Sequence, residues 1–266
     1  MDPIRIAVVT KGHPFEAEPF FDVFESIVGV EWTHVEHPEA LELVHPERAA
    51  EFDVFVMYDM PGITFNRSSD ATASPAEFPS PPDGYPEAFR ALLDAGQPMV
   101  FLHHAVAGWP AWEEYAHIVG GRFHYQPATL GGVEYPDSGY RHDVTHTVEV
   151  LDPDHPICAG LDATFEITDE LYLYPVFTDE VTPLMRSRHR FVDTEFYSAD
   201  RAIRGERNSR DGWSHPPGSD LVAWTKTVGR SPVAYIQFGD GPQTYADPNY
   251  RRVIANAIRW AASDAG

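Results

Sequence analysis

Two adjacent histidines, His103 and His104, follow the apolar run "PMVFL" and precede two tryptophans in "HHAVAGWPAW". An imidazole titrates near neutral pH, so such a pair suits proton transfer or metal ligation. Further polar groups end other apolar runs. "IRIAVVTKGHPFE" delivers Lys11, Gly12 and His13, and "FDVFVMYDMPG" delivers Tyr58, Asp59 and Gly62. "PVAYIQFGDGPQTY" delivers Gln237, Asp240 and Tyr245, and "TDELY" holds Glu170. Histidines gathered with carboxylates can act as general acids and bases, and they can also bind a divalent metal. The metal signal is weak, because no HxH or HExxH spacing occurs. His142 and His146 are four apart, as on a helix face, but their surroundings read as strand and turn. A GxSxG nucleophile elbow and a glycine-rich phosphate loop are both absent. His155, in "DPDHPI", reads as a turn-organising residue.

These groups need a frame. The β-branched run 4–10 and the runs 52–60 and 98–105 read as strands buried on both faces of a parallel sheet. Residues 30–36 alternate, as an edge strand does. Helical stretches fall between them at 17–28, 85–95 and 110–119, and the strand–helix rhythm predicts a doubly wound α/β sheet. In such sheets ligands bind beyond the carboxyl ends of the strands, where the residues named above lie. Along one strand His103 and His104 would face opposite sides, so one faces the site and the other supports it. If the strand breaks there, both can face it.

The second half changes character. Runs 146–152, 165–177, 220–228 and 232–238 read as further strands, largely antiparallel, and 248–262 as an amphipathic helix with Ile254, Ala257, Ile258 and Ala261 on one face. Residues 186–218 carry no clear pattern, and 63–84 form a Ser/Pro/Asp-rich loop placed to act either as a lid or as a surface insertion.

The chain has 266 residues, 43% of them hydrophobic, which fits one domain with a large core. Its formal net charge of −22 opposes binding to nucleic acid or to anionic membranes. Cys158 is the only cysteine, so neither an internal disulfide nor a thiolate metal cluster is available. No basic leader with a long apolar run is present, and a cytoplasmic protein is the expectation. A homodimer is the base-rate expectation for its assembly.

Three segments carry a family resemblance. "VFLHHAVAGWPAWEEYAHIVGGRF" (100–123), "HTVEVLDPDHPICAGLDATFEITDELY" (146–172) and the C-terminal "YIQFGDGP…DPNYRRVIANAIRWAA" resemble the ThuA-like, or trehalose utilisation, family. "VVTKGHPF" and "VFVMYDMPG" fit it as well. The resemblance implies a flavodoxin-like sheet related to class I glutamine amidotransferases. Those enzymes carry a cysteine nucleophile after a central strand, where this chain has His103 and His104, so cysteine-dependent amidotransferase chemistry is disfavoured. Many relatives have a histidine in a "GHG"-like position near the C-terminus, where this chain has Gly239-Asp240-Gly241.

The expected function is a sugar-catabolism enzyme acting on a trehalose-type or keto-sugar substrate. His104 or His103 would be base or ligand, with His13, Asp59 and Glu170 as partners. Tyr58 and Trp109 would position the sugar, and Asp240 would bind it or serve as ligand or base. No cofactor is certain, and a divalent metal stays open. The alternatives are a non-catalytic sugar-binding or regulatory module and a metal-dependent hydrolase.

Overall fold

The computed structural model describes residues 2–66 and 73–264. A ten-stranded mixed sheet forms its centre. Its strands are β1 (Ile4–Lys11), β2 (Val30–Glu36), β3 (Val54–Asp59), β4 (Met99–Leu102), β5 (Gly139–Val150), β6 (Thr164–Leu173), β7 (Thr182–Ser187), β8 (Tyr197–Ser198), β9 (Leu221–Val228) and β10 (Ser231–Ile236). The order across the sheet is β6-β5-β7-β9-β10-β4-β3-β1-β2, with β8 paired to β5. From β10 to β2 all neighbours are parallel, and from β10 outward to β6 all are antiparallel. The parallel part, read from its edge as β2-β1-β3-β4-β10, has the flavodoxin order 2-1-3-4-5.

Side-chain alternation divides the core between the two faces. Ile6, Val8, Val54, Val56, Val100 and Leu102 pack on one face with α1 (Ala17–Glu25) and the long C-terminal helix α4 (Pro248–Asp264). Ala7, Val9, Phe55, Met57, Met99 and Phe101 pack on the other with α2 (Tyr85–Ala95) and α3 (Glu113–Val119). Ile254, Ala257, Ile258 and Ala261 are fully buried, as the helical spacing requires. The edge position of β2 accounts for its alternating exposure.

Several expected boundaries move. The strand expected over 98–105 stops at Leu102 and turns into a 3-10 segment, His103–Ala107. The helix expected over 110–119 begins at Glu113, because residues 110–112 form a turn tied through Trp112 N to Trp109 O. Within 186–218 lie the end of β7, β8 and a short helix, Ala199–Ile203. Part of 63–84 forms a two-stranded ribbon, Thr64–Phe65 with Ala76–Glu77, and residues 67–72 lie outside the described chain. Among the described residues no helix is long and apolar enough to cross a membrane.

Candidate functional site

The 3-10 turn after β4 decides which histidine joins the carboxylates. His103 takes φ +47°, a left-handed conformation uncommon for a side-chain-bearing residue. This breaks the strand's alternation and turns the fully buried imidazole toward β6 and the Gly239–Asp240 loop. Its Nδ1 bonds the Gln237 carbonyl oxygen at 2.7 Å, and its Nε2 meets the Tyr172 hydroxyl at 2.7 Å. The same Nε2 lies 3.3 Å from Glu170 Oε2 and 3.5 Å from Asp240 Oδ1. Burial alone would lower the pKa of His103, but the neighbouring carboxylates of Asp240 and Glu170, with the charge of Asp169 behind them, outweigh it and hold the pKa well above an ordinary imidazole's.

A second imidazole completes the set. His142 Nδ1 lies 3.1 Å from Glu170 Oε1 and 3.7 Å from Asp240 Oδ2. Each carboxylate therefore spans two histidines, one oxygen to each. The register of β5 and β6 shifts between Asp169 and Leu171, so His142 and Asp143 together oppose Glu170, with Asp143 at φ +53°. Such a bulge reverses the facing of the strand beyond it. Tyr140 accordingly packs on one face of the sheet, and Val144 and Val148 on the other. Without the bulge His142 would share the face of Val144 and turn its back on Glu170. The Asp240 carboxylate leads in raising the pKa of His142, burial opposes it, and Glu170 adds to the rise. Burial works against the charge of Asp240 too, but the imidazoles of His103 and His142 beside it hold it well below the usual carboxylate range.

Asp169 fixes the loop that carries Asp240. It is fully buried and accepts from Gly239 N at 2.6 Å and Asp240 N at 3.0 Å. Burial pushes its pKa up to about 6, against the lowering effect of His103 and these two N–H donors.

The cluster opens into a cleft of about 1330 Å³, larger than the usual small-molecule pocket of about 300–1,000 Å³. Glu170, Tyr172 and His142 lie on its wall, and His13 stands on the wall contributed by the β1 end. Gly12 makes that loop feasible: its φ is +96°, and a Cβ there would fall 2.4 Å from the Met60 carbonyl oxygen. Phe15, Phe65, Phe123, Tyr125 and Tyr140 give the cleft an aromatic lining. Residues 65–66 and 73–75, from the Ser/Pro-rich segment, flank it.

The sequence-predicted residues therefore divide. His103, Glu170 and Asp240 come together; of these Glu170 stands on the cleft wall with His13, while His103 and Asp240 lie behind it. His104 lies beneath His13, with ring centroids 4.6 Å apart, and its Nε2 bonds the Tyr58 carbonyl oxygen at 3.1 Å. Burial and the nearby charges of His13 and His103 keep its pKa well below the ordinary value. Tyr58, Asp59 and Trp109 do not reach the cleft wall. The Tyr58 hydroxyl is held by Gly239 O and Tyr245, Asp59 pairs with His37 at 2.7 Å, and Trp109 packs on Tyr85 in the core. Strand-end position brought Tyr58 and Asp59 to notice, and Trp109 stood beside the expected helix as either core or a sugar-stacking wall; inward packing decides where all three side chains go. Tyr172 and Asp169 were missed by the sequence reading. Alternation along "TDELY" could have flagged Tyr172, two residues beyond Glu170 and on the same face. The four-residue spacing of His142 and His146 suits a helix that does not form, and only the bulge in β5 brings His142 in. Cys158 is buried in the core, its thiol pushed up to about 11 by burial, so it offers no nucleophile here. His155 caps the 3-10 turn Pro156–Cys158 by accepting from Ile157 N, the structural role its setting implied.

Comparison with solved structures gives the fold. A protein of Parabacteroides merdae described as ThuA-like aligns with a TM-score of 0.66 at 14% identity, covering 98% of this chain and 90% of its own. A second, from Bacteroides uniformis, aligns with a TM-score of 0.63 at 16% identity, over 97% and 91%. A cytoplasmic protein of Salmonella typhimurium aligns with a TM-score of 0.57 at 11% identity, over 97% and 99%. No curated protein matches the sequence. The family model for ThuA, described as trehalose utilisation, matches residues 30–261, and the chain belongs to that family.

Proposed function

We propose that this protein is an enzyme of sugar catabolism, acting on a trehalose-type sugar or its keto derivative by proton transfer. The observation that carries this reading is Glu170: a carboxylate on the wall of an aromatic cleft, set between two imidazoles and beside a tyrosine hydroxyl. Aromatic rings suit the apolar C–H faces of pyranoses, and the family's description points to a sugar.

In a keto sugar the carbon beside the carbonyl carries an acidic proton. Glu170 would take that proton, the C–H electron pair would move into an enolate, and His142 or Tyr172 would protonate or polarise its oxygen. Buried His103 does not face the cleft, so its part is to hold Glu170, Asp240 and Tyr172 in place. The test is deuterium uptake from D2O into a 3-keto glucoside or 3-keto trehalose, followed by proton NMR. The wild type should exchange one carbon-bound position. Glu170→Gln should slow the exchange by roughly 10²–10⁴ while keeping its melting temperature. Saturable sugar binding with no exchange and no turnover would mark a binding module and overturn the reading.

A further inference from the structure

We propose that the inner side of this cluster is a seat for a divalent transition-metal cation, held by His103 Nε2, Glu170 Oε2 and Asp240 Oδ1. One ligand atom from each of the three residues lies within 4.8 Å of the others. The His103 separations, 3.3 Å to Glu170 and 3.5 Å to Asp240, exceed the about 2.7–2.9 Å of a charge-assisted hydrogen bond. They match the spacing of ligands around one ion: bonds of about 2.1 Å in a tetrahedral arrangement put neighbouring donors about 3.4 Å apart.

The support around the ligands is of the kind a metal site needs. The bond from His103 Nδ1 to the Gln237 carbonyl oxygen fixes the tautomer in which Nε2 carries the lone pair. Asp169 clamps the backbone of Asp240 through two N–H groups. Two of the ligand residues are buried and Asp240 is half-buried, which separates this set from an exposed acidic cluster. One imidazole with two carboxylates favours Zn²⁺ or Mn²⁺ over Ca²⁺, which prefers six to eight oxygens. The outer oxygens, Glu170 Oε1 and Asp240 Oδ2, face His142 and stay outside the seat. Without a cation the same place is filled by a proton on Nε2, so proton and metal are alternatives. With three protein donors, a position remains for water, which the ion would polarise. That chemical consequence rests on the reaction proposed above; the binding itself does not.

The test is calorimetric titration of the full chain, stripped with chelator and exchanged into buffer, with zinc chloride and separately with manganese chloride, and without sugar. One cation per chain should bind. Asp240→Asn and Glu170→Gln, each checked for an unchanged melt, should weaken it roughly tenfold or more. Tyr172→Phe removes the hydroxyl that competes for Nε2 and should bind at least as tightly. Absence of saturable binding of both ions up to millimolar concentration would overturn the proposal, as would binding that neither carboxylate variant alters. Deuterium exchange by the stripped protein tests the proton-transfer reading separately, so the two can fail independently.

Discussion

His103 and His104 are one peptide bond apart and sit in unlike environments. His103 is surrounded by acceptors, whereas His104 lies between the His13 ring and Tyr58 with its Nδ1 unpartnered. The first is suited to carry charge beside the cleft, the second to pack beneath it. His104→Phe keeps an aromatic ring, loses one hydrogen bond to the Tyr58 carbonyl and adds a little volume. It should cost about 1–3 kcal/mol in urea unfolding and leave turnover within about tenfold of wild type. A loss of turnover as deep as that of Glu170→Gln would give His104 a direct part in the chemistry. The position of the pair was legible in the sequence, since a buried run ending in polar residues marks a strand mouth. Their division of labour was not, because it depends on the φ of His103 alone, which no neighbouring residue type announces.

Among the elements, the β5–β6 pair decides most. The sequence marked a strand only from 146, whereas β5 begins at Gly139, and the bulge at His142–Asp143 is what joins His142 to the cluster. An aspartate tolerates the left-handed region better than most residues, but glycine occupies it without steric cost. Asp143→Gly should therefore leave stability within about 1 kcal/mol of wild type and preserve activity. Asp143→Val places a branched side chain at φ +53° and should cost about 1–3 kcal/mol. It should also lower kcat as His142 loses its aim at Glu170. Chemical denaturation and turnover of both variants check this, and equal behaviour of the two would remove the bulge from the account. The parallel strands showed themselves as apolar β-branched runs, and β2 showed its edge position by alternation. Strand β7 went unread because "TPLMRS" contains a proline and lacks alternation, and it is held instead by pairing with β9 and β5.

For the whole molecule the relevant quantity is charge. The chain carries 41 acidic against 19 basic residues and 13 histidines, some of them buried in neutral form. His146 bonds Ser187 Oγ at 2.8 Å, and burial, aided by His189, lowers its pKa to about 4. Burial also lowers that of His124 to about 4, with Arg122 and His215 adding to the effect. Unfolding returns both to about 6.5. Between pH 6.5 and 4 the unfolded chain therefore binds protons that the fold refuses, and stability falls as the pH falls. At pH 5 the loss is on the order of 2 kcal/mol for each histidine. His103 and His142, whose pKa values are raised, act in the opposite direction above pH 6.5. Buried Asp169, raised to about 6, also acts in the opposite direction, and inside this window: it returns on the order of 1 kcal/mol at pH 5, less than the two histidines together remove. Relief of carboxylate repulsion enters only near pH 4, where ordinary acidic groups titrate. Unfolding free energies measured in urea should thus decline from pH 6.5 to pH 5. His146→Gln, which keeps a hydrogen-bonding side chain but cannot take up a proton, should have a shallower decline by about the share of one histidine. A wild-type free energy that is flat across this range would mean that both imidazoles are protonated in place, and that burial of neutral histidine does not set the acid limit of this fold.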